Sequence, residues 1–205
     1  MLFHISSINF NSCYNTVKYI NWGIMVIIGI GNILQKDDGL GVYAATYLYE
    51  NYTFSEEIEI INGGVEGIHL YNVLEENSHI IILDCLQLND TPASIYAIPA
   101  KEISGYGLNN GGAHEIGILQ CMDMMELQGK EIPESIVIGI IPSSVTFAFG
   151  LSQELIDAFE GYISVVLQYL KKQGIDATKR AQTTTLSDII NKAKDPSGVM
   201  LLSKS

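Results

Sequence analysis

Two adjacent carboxylates, Asp37 and Asp38, sit in a glycine-punctuated stretch, Gly29-Ile30-Gly31-Asn32-Ile33-Leu34-Gln35-Lys36-Asp37-Asp38-Gly39-Leu40-Gly41. Two other segments share its character: Asn62-Gly63-Gly64-Val65-Glu66-Gly67 and Gly111-Gly112-Ala113-His114-Glu115. Carboxylate, amide oxygen and imidazole together suit a borderline divalent metal, because imidazole takes nickel or zinc and carboxylate balances the charge. A structural role competes with this. One aspartate could cap the helix expected at Gly39 by accepting from its free N–H groups, which accounts for one of the pair better than for both.

Other chemistries lack an anchor. The dinucleotide fingerprint G-x-G-x-x-G fails at its third glycine, where Leu34 stands, and Asp37-Asp38 would place negative charge at the pyrophosphate site. No G-x-x-x-x-G-K-[ST] occurs, and His114-Glu115-Ile116-Gly117-Ile118 lacks the second histidine of H-E-x-x-H. G-x-S-x-G, Asp-Thr-Gly and Asp-Ser-Gly are absent too. Cys13, Cys85 and Cys121 form no C-x-x-C pair and read as buried thiols of a reducing compartment. His69 and His79 read as ordinary surface or core histidines, and His4 as part of an N-terminal extension. Asp84, at the end of a strand, either faces a cleft or caps the next turn. Pro142-Ser143-Ser144 reads as a loop that shapes the cleft.

The elements that must position these residues alternate in type. Near-continuous Ile/Val runs predict strands over Met25–Ile30, Glu57–Asn62, His79–Asp84, Ser94–Pro99 and Ser135–Ile141, buried on both faces as in a parallel sheet. Helices are expected over Gly39–Tyr52, Gly67–Glu76, Glu115–Leu127 and Ser152–Lys172, with a short one at Leu186–Ala193. The last long helix carries an apolar stripe and ends in Lys171-Lys172 before Gly174. This order implies an α/β three-layer sandwich, a mostly parallel sheet of about five strands with helices on both faces. Residues 1–24 read as an N-terminal extension outside the fold, 25–175 as the domain and 176–205 as a C-terminal tail.

Composition excludes several function classes. The 205 residues are 47% hydrophobic and 17% charged, with a net charge of −12. So acidic a chain, without a basic patch, is a poor partner for a phosphate backbone, so no nucleic acid is expected. No apolar run approaches the ~18 residues of a membrane span, and the N-terminus lacks the basic start of a signal peptide. A cytoplasmic protein that binds no membrane is expected, as a monomer or weak dimer.

From Met25 to Ile175 the sequence resembles the hydrogenase maturation proteases, which remove a C-terminal extension from the large subunit of nickel–iron hydrogenases. The likeness rests on GIGNILQKDDGLGV, NGGVEGIHL, ILDCLQ, AHEIGILQCM and IGIIPSSVTFAFGLSQELIDAF, in the family's order. The resemblance implies an endopeptidase acting on the large-subunit precursor after nickel insertion. Nickel is then the substrate's, and none need be retained by the free protein. It also implies a metal-facing site at Asp38, Asn62 and His114, with Asp38 catalytic. Asn62 departs from the family's usual aspartate: its amide oxygen can ligate but carries no charge. Glu66 or Asp37 would be the nearby compensating carboxylates, and a non-catalytic docking protein is the alternative.

Overall fold

The computed structural model describes residues 24–65, 70–103 and 113–195, with all side chains in these segments except those of residues 103, 113–117 and 119. Strand β1 (Met25–Ile30) is buried along its whole length. It lies between β3 (Ile58–Gly64) and β4 (His79–Cys85), parallel to both. Strand β6 (Glu134–Ile140) extends the sheet parallel to β4, and β5 (Ile95–Pro99) closes it antiparallel, giving the order β3-β1-β4-β6-β5. The unbroken Ile/Val runs follow from this placement, because the inner strands have no solvent face. Strand β5 instead alternates half-buried and buried residues and carries Pro99 at its end, as an edge strand allows.

Helices cover both faces. On one, α1 (Leu40–Asn51) and α5 (Gln153–Lys172) pack Leu48, Phe159 and Ile163 against Ile27, Ile81 and Ile138. On the other, α2 (Tyr71–Glu76) and α4 (Ala113–Leu127) pack Leu74, Cys121 and Met125 against Val26, Ile80 and Val137. A single-turn helix, α3 (Ala100–Ile103), follows β5. Each fully buried side chain of the α5 stripe contributes about 2 kcal/mol by area. The helix ends in Lys171 and Lys172 before Gly174 at φ 84°, the left-handed conformation that satisfies the last carbonyls. The three-layer α/β sandwich expected from the alternation is therefore the architecture found. No helix among the described residues is long and apolar enough to cross a membrane.

The stretch after Ile175, expected to be a tail, packs on the domain as far as Lys194. Strands β2 (Tyr52–Phe54) and β7 (Ala177–Lys179), too short to show a period in the sequence, pair antiparallel. The Asn51 amide then bonds the Thr184 backbone twice, donating to its carbonyl at 3.0 Å and accepting from its N–H at 2.7 Å. Helix α6 (Leu186–Ala193) follows and buries Ile189 and Ile190 in the core. Its start is a capping box, the Thr185 hydroxyl accepting from the Asp188 N–H while the Asp188 carboxylate accepts from the Thr185 N–H. Thr185→Ala is expected to cost about 1 kcal/mol, which lowers Tm by roughly 3 °C in a domain of this size. An unchanged melting curve by circular dichroism would show that the box contributes nothing.

Candidate functional site

The parallel strands present their carboxyl ends at one edge of the sheet, where open α/β sheets gather functional loops. Three loops meet there: residues 31–39 after β1, 62–65 at the end of β3 and 141–152 after β6. Strands β1 and β3 run in register to Gly29↔Asn62, and then a bulge shifts the pairing. Past it, Gly31 at φ 130° turns its N–H onto the Gly64 carbonyl at 2.8 Å. The first and second motifs are thereby joined by backbone at the sheet edge. Helix α1 begins hard against the same edge. A Cβ on Gly41 would stand 2.1 Å from the Leu83 carbonyl oxygen and 2.3 Å from that of Ile30, so only glycine allows this approach.

Between these glycines, a 3-10 turn over Lys36–Gly39 carries the acidic pair. Lys36 adopts φ 51°, a left-handed conformation unfavourable to a side chain, and its N–H is held by the Ala148 carbonyl at 2.7 Å. Both aspartates are buried, and their environments differ. The Asp38 Oδ2 accepts from the Asn32 N–H at 2.9 Å, while the Asn32 Oδ1 accepts from the Leu34 N–H at 3.0 Å. Neither aspartate caps α1, whose N-cap is Gly39 without a side-chain bond.

Asp37 reaches in the other direction, across to the β6–α5 loop. Its Oδ2 accepts from the N–H groups of Ser143 and Ser144 at 3.0 and 2.7 Å and from the Ser152 hydroxyl at 2.7 Å. Its Oδ1 accepts from the Ser152 N–H at 2.5 Å. Ser152 is the N-cap of α5; its hydroxyl makes no capping bond and donates to Asp37 instead. The carboxylate thus also sits at the positive end of the α5 dipole. With its oxygens committed to four donors and its side chain sealed from solvent, Asp37 is a structural clamp. It is not available to compensate for the missing charge at position 62. Sequence reading missed Ser152 as its partner; the one local signal was a serine placed just before the α5 stripe.

Asn62 is half-buried, and its Oδ1 accepts from the Gly64 N–H at 3.1 Å. His114 falls in the first turn of α4, and its side chain lies outside the described residues, as do Glu66 and His69. The structure therefore brings Asp38 and Asn62 to neighbouring loops. Among the described residues no group of three or more His, Cys, Asp and Glu is placed to hold a metal ion. Asp84 is buried at the end of β4, with its Oδ1 2.7 Å from the Cys85 N–H. The Cys85 thiol donates to the Asp37 carbonyl at 2.8 Å, tying β4 to the acidic turn. Beside them Tyr162 donates to the Ile138 carbonyl at 2.5 Å. Burial, reinforced by the nearby Cys85 and Asp84, pushes its hydroxyl pKa well up and keeps it a neutral donor. His79 lies at the amino end of β4, the far edge of the sheet, 3.6 Å from Glu134.

These features define a three-layer α/β protein whose chemistry is organised around a buried acidic turn, with none of the motifs of a serine or pepsin-like hydrolase. Residues 42–169 match the profile of the hydrogenase maturation protease family, and the chain belongs to that family. It is thus a hydrolase acting on peptide bonds. The hydrogenase 2 maturation protease of Escherichia coli K12 is 25% identical over 157 residues, covering 76% of this chain and 96% of the relative. The hydrogenase expression/formation protein HoxM of Azotobacter vinelandii is 26% identical over 158 residues, 76% of each chain. Among solved structures, the maturating endopeptidase HybD from E. coli superposes with a TM-score of 0.71 at 25% identity, over 78% of this chain and 99% of HybD. The maturation protease HybD from Thermococcus kodakarensis shares the fold, with a TM-score of 0.58 at 22% identity over 72% and 99%.

Proposed function

We propose that this protein removes the C-terminal extension of a nickel–iron hydrogenase large-subunit precursor once nickel has been inserted, in the cytoplasm. The observation that carries the reading is the placement of Asp38, on a turn fixed against the Asn62 loop at the carboxyl edge of the sheet. Asp38 meets the precursor's nickel or the attacking water, Asn62 offers a neutral oxygen, and His114 supplies the imidazole. The nickel belongs to the substrate, so occupancy of its own site becomes the test of maturation. Bound there, it polarises the scissile carbonyl or the water as a Lewis acid. Asp38 holds the reacting groups and takes up a proton at its carboxylate. Either path needs one anionic oxygen at position 38, with or without a second at 62.

The competing reading is a docking protein that binds the loaded precursor without cutting it, and it is favoured by the neutral Asn62. Incubating full-length protein with nickel-loaded precursor and weighing the product by mass spectrometry decides between them. The parent is expected to release the extension. Asn62→Asp keeps the bond from the Gly64 N–H, since a carboxylate oxygen replaces the amide oxygen, and is expected to cleave at least as fast. A parent that never cuts while Asn62→Asp does would establish the docking reading.

A further inference from the structure

The three loops at the site share a second property besides their polar residues. Ten large apolar side chains are exposed among the described residues, and five of them, Leu34, Val65, Val145, Phe147 and Phe149, lie in these loops. Phe147 is 85% exposed. In a chain of net charge −12, residues 141–152 include no charged side chain at all. An apolar concentration of this kind on one part of a surface marks an interaction site rather than scatter.

Nor is the patch a loose loop. The Ala148 N–H donates to the Leu34 carbonyl at 3.0 Å, and the Lys36 N–H donates to the Ala148 carbonyl at 2.7 Å, so Phe147 is flanked by fixed backbone. The Asp37 clamp holds the same loop at Ser143, Ser144 and Ser152. With the backbone beside it already fixed, Phe147 gives up only its own side-chain rotation on binding, which favours an anchor.

We infer that this apolar rim receives an apolar stretch of the precursor polypeptide flanking the bond that is cut. The inference rests on the protease reading above. Its physical basis is continuity: the loops that carry Leu34 and Phe147 are bonded to the turn that carries Asp38, so a peptide leaving Asp38 on that side runs over them. The uncharged loop 141–152 favours apolar side chains on its part of the rim, since a charged one resting there would be desolvated without a partner.

Phe147→Ser in the full chain tests it, with Leu127→Ser, an 88% exposed residue at the far end of α4, as the control. Phe147→Ser is expected to raise KM for nickel-loaded precursor roughly ten-fold with kcat within about two-fold, and to weaken binding of the precursor in parallel. Leu127→Ser should change neither. Unchanged KM and affinity in Phe147→Ser would overturn the docking site and leave the protease reading standing. So would a loss confined to kcat, or a parent dimer in sedimentation that Phe147→Ser dissociates, which would give the rim to a second copy. A parent that binds precursor through Phe147 but never cuts would refute the protease reading and keep the docking site.

Discussion

Asp38→Asn is expected to lower kcat/KM for nickel-loaded precursor by at least about a hundred-fold, the range lost when a positioned acid–base group is removed. The substitution is chosen to spare the fold. An amide oxygen can still accept from the Asn32 N–H, so the turn between β1 and α1 keeps its bond and Tm should move by only a few degrees. The kinetic split reports the role. If the carboxylate mainly grips the precursor's nickel, KM rises with it; if it mainly handles the proton of the attacking water, kcat falls at nearly constant KM. Activity within about three-fold of the parent would remove Asp38 from the site. It would also leave the carboxyl edge of the sheet with no assigned catalytic group, because Asp37 is sealed by its four donors.

The inner strands were legible because a strand covered on both faces writes an unbroken Ile/Val run, as Met25–Ile30 and His79–Cys85 do. Helix α5 was legible from its apolar stripe, and α6 was expected as a short helix over the same residues, whereas the Thr185 capping box at its start emerges only in the structure. Strands β2 and β7 were not, since three residues carry no period and each exists only by pairing with the other across more than a hundred residues. For the same reason the packing of residues 177–194 on the domain could not be anticipated from their polar composition. At the site, spacing singled out the Asp37-Asp38 pair without dividing its labour. That division depends on a 115-residue contact to Ser152, which no local pattern encodes.

Asp37→Ala is expected to be the most damaging single substitution for stability at this edge of the molecule. It leaves three N–H groups and a hydroxyl, previously bonded to its carboxylate, without their acceptor, and the two donors of Ser152 are buried while those of Ser143 and Ser144 lie nearer the surface. Hydrogen bonds to a charged group are each worth about 1.5–3 kcal/mol, and stranded buried donors carry their desolvation cost in full. Because the four donors belong to one loop and relax together, the sum is not additive; about 4 kcal/mol is expected, or a Tm lower by roughly 8–16 °C. Asp37→Asn should cost about half as much. Its carbonyl can occupy the Oδ2 position and keep Ser143, Ser144 and the Ser152 hydroxyl, while its NH2 faces the Ser152 N–H, donor against donor. The order parent, Asn variant, Ala variant in thermal unfolding is therefore the signature of a clamp, and an Ala variant melting within about 3 °C of the parent would refute it. The clamp also reaches function without touching substrate. Asp37→Ala releases the β6–α5 loop at Ser143, Ser144 and Ser152 and leaves only the Ala148 bonds beside Phe147, so any Asp37→Ala protein that remains folded should cut precursor with a raised KM and a nearly unchanged kcat.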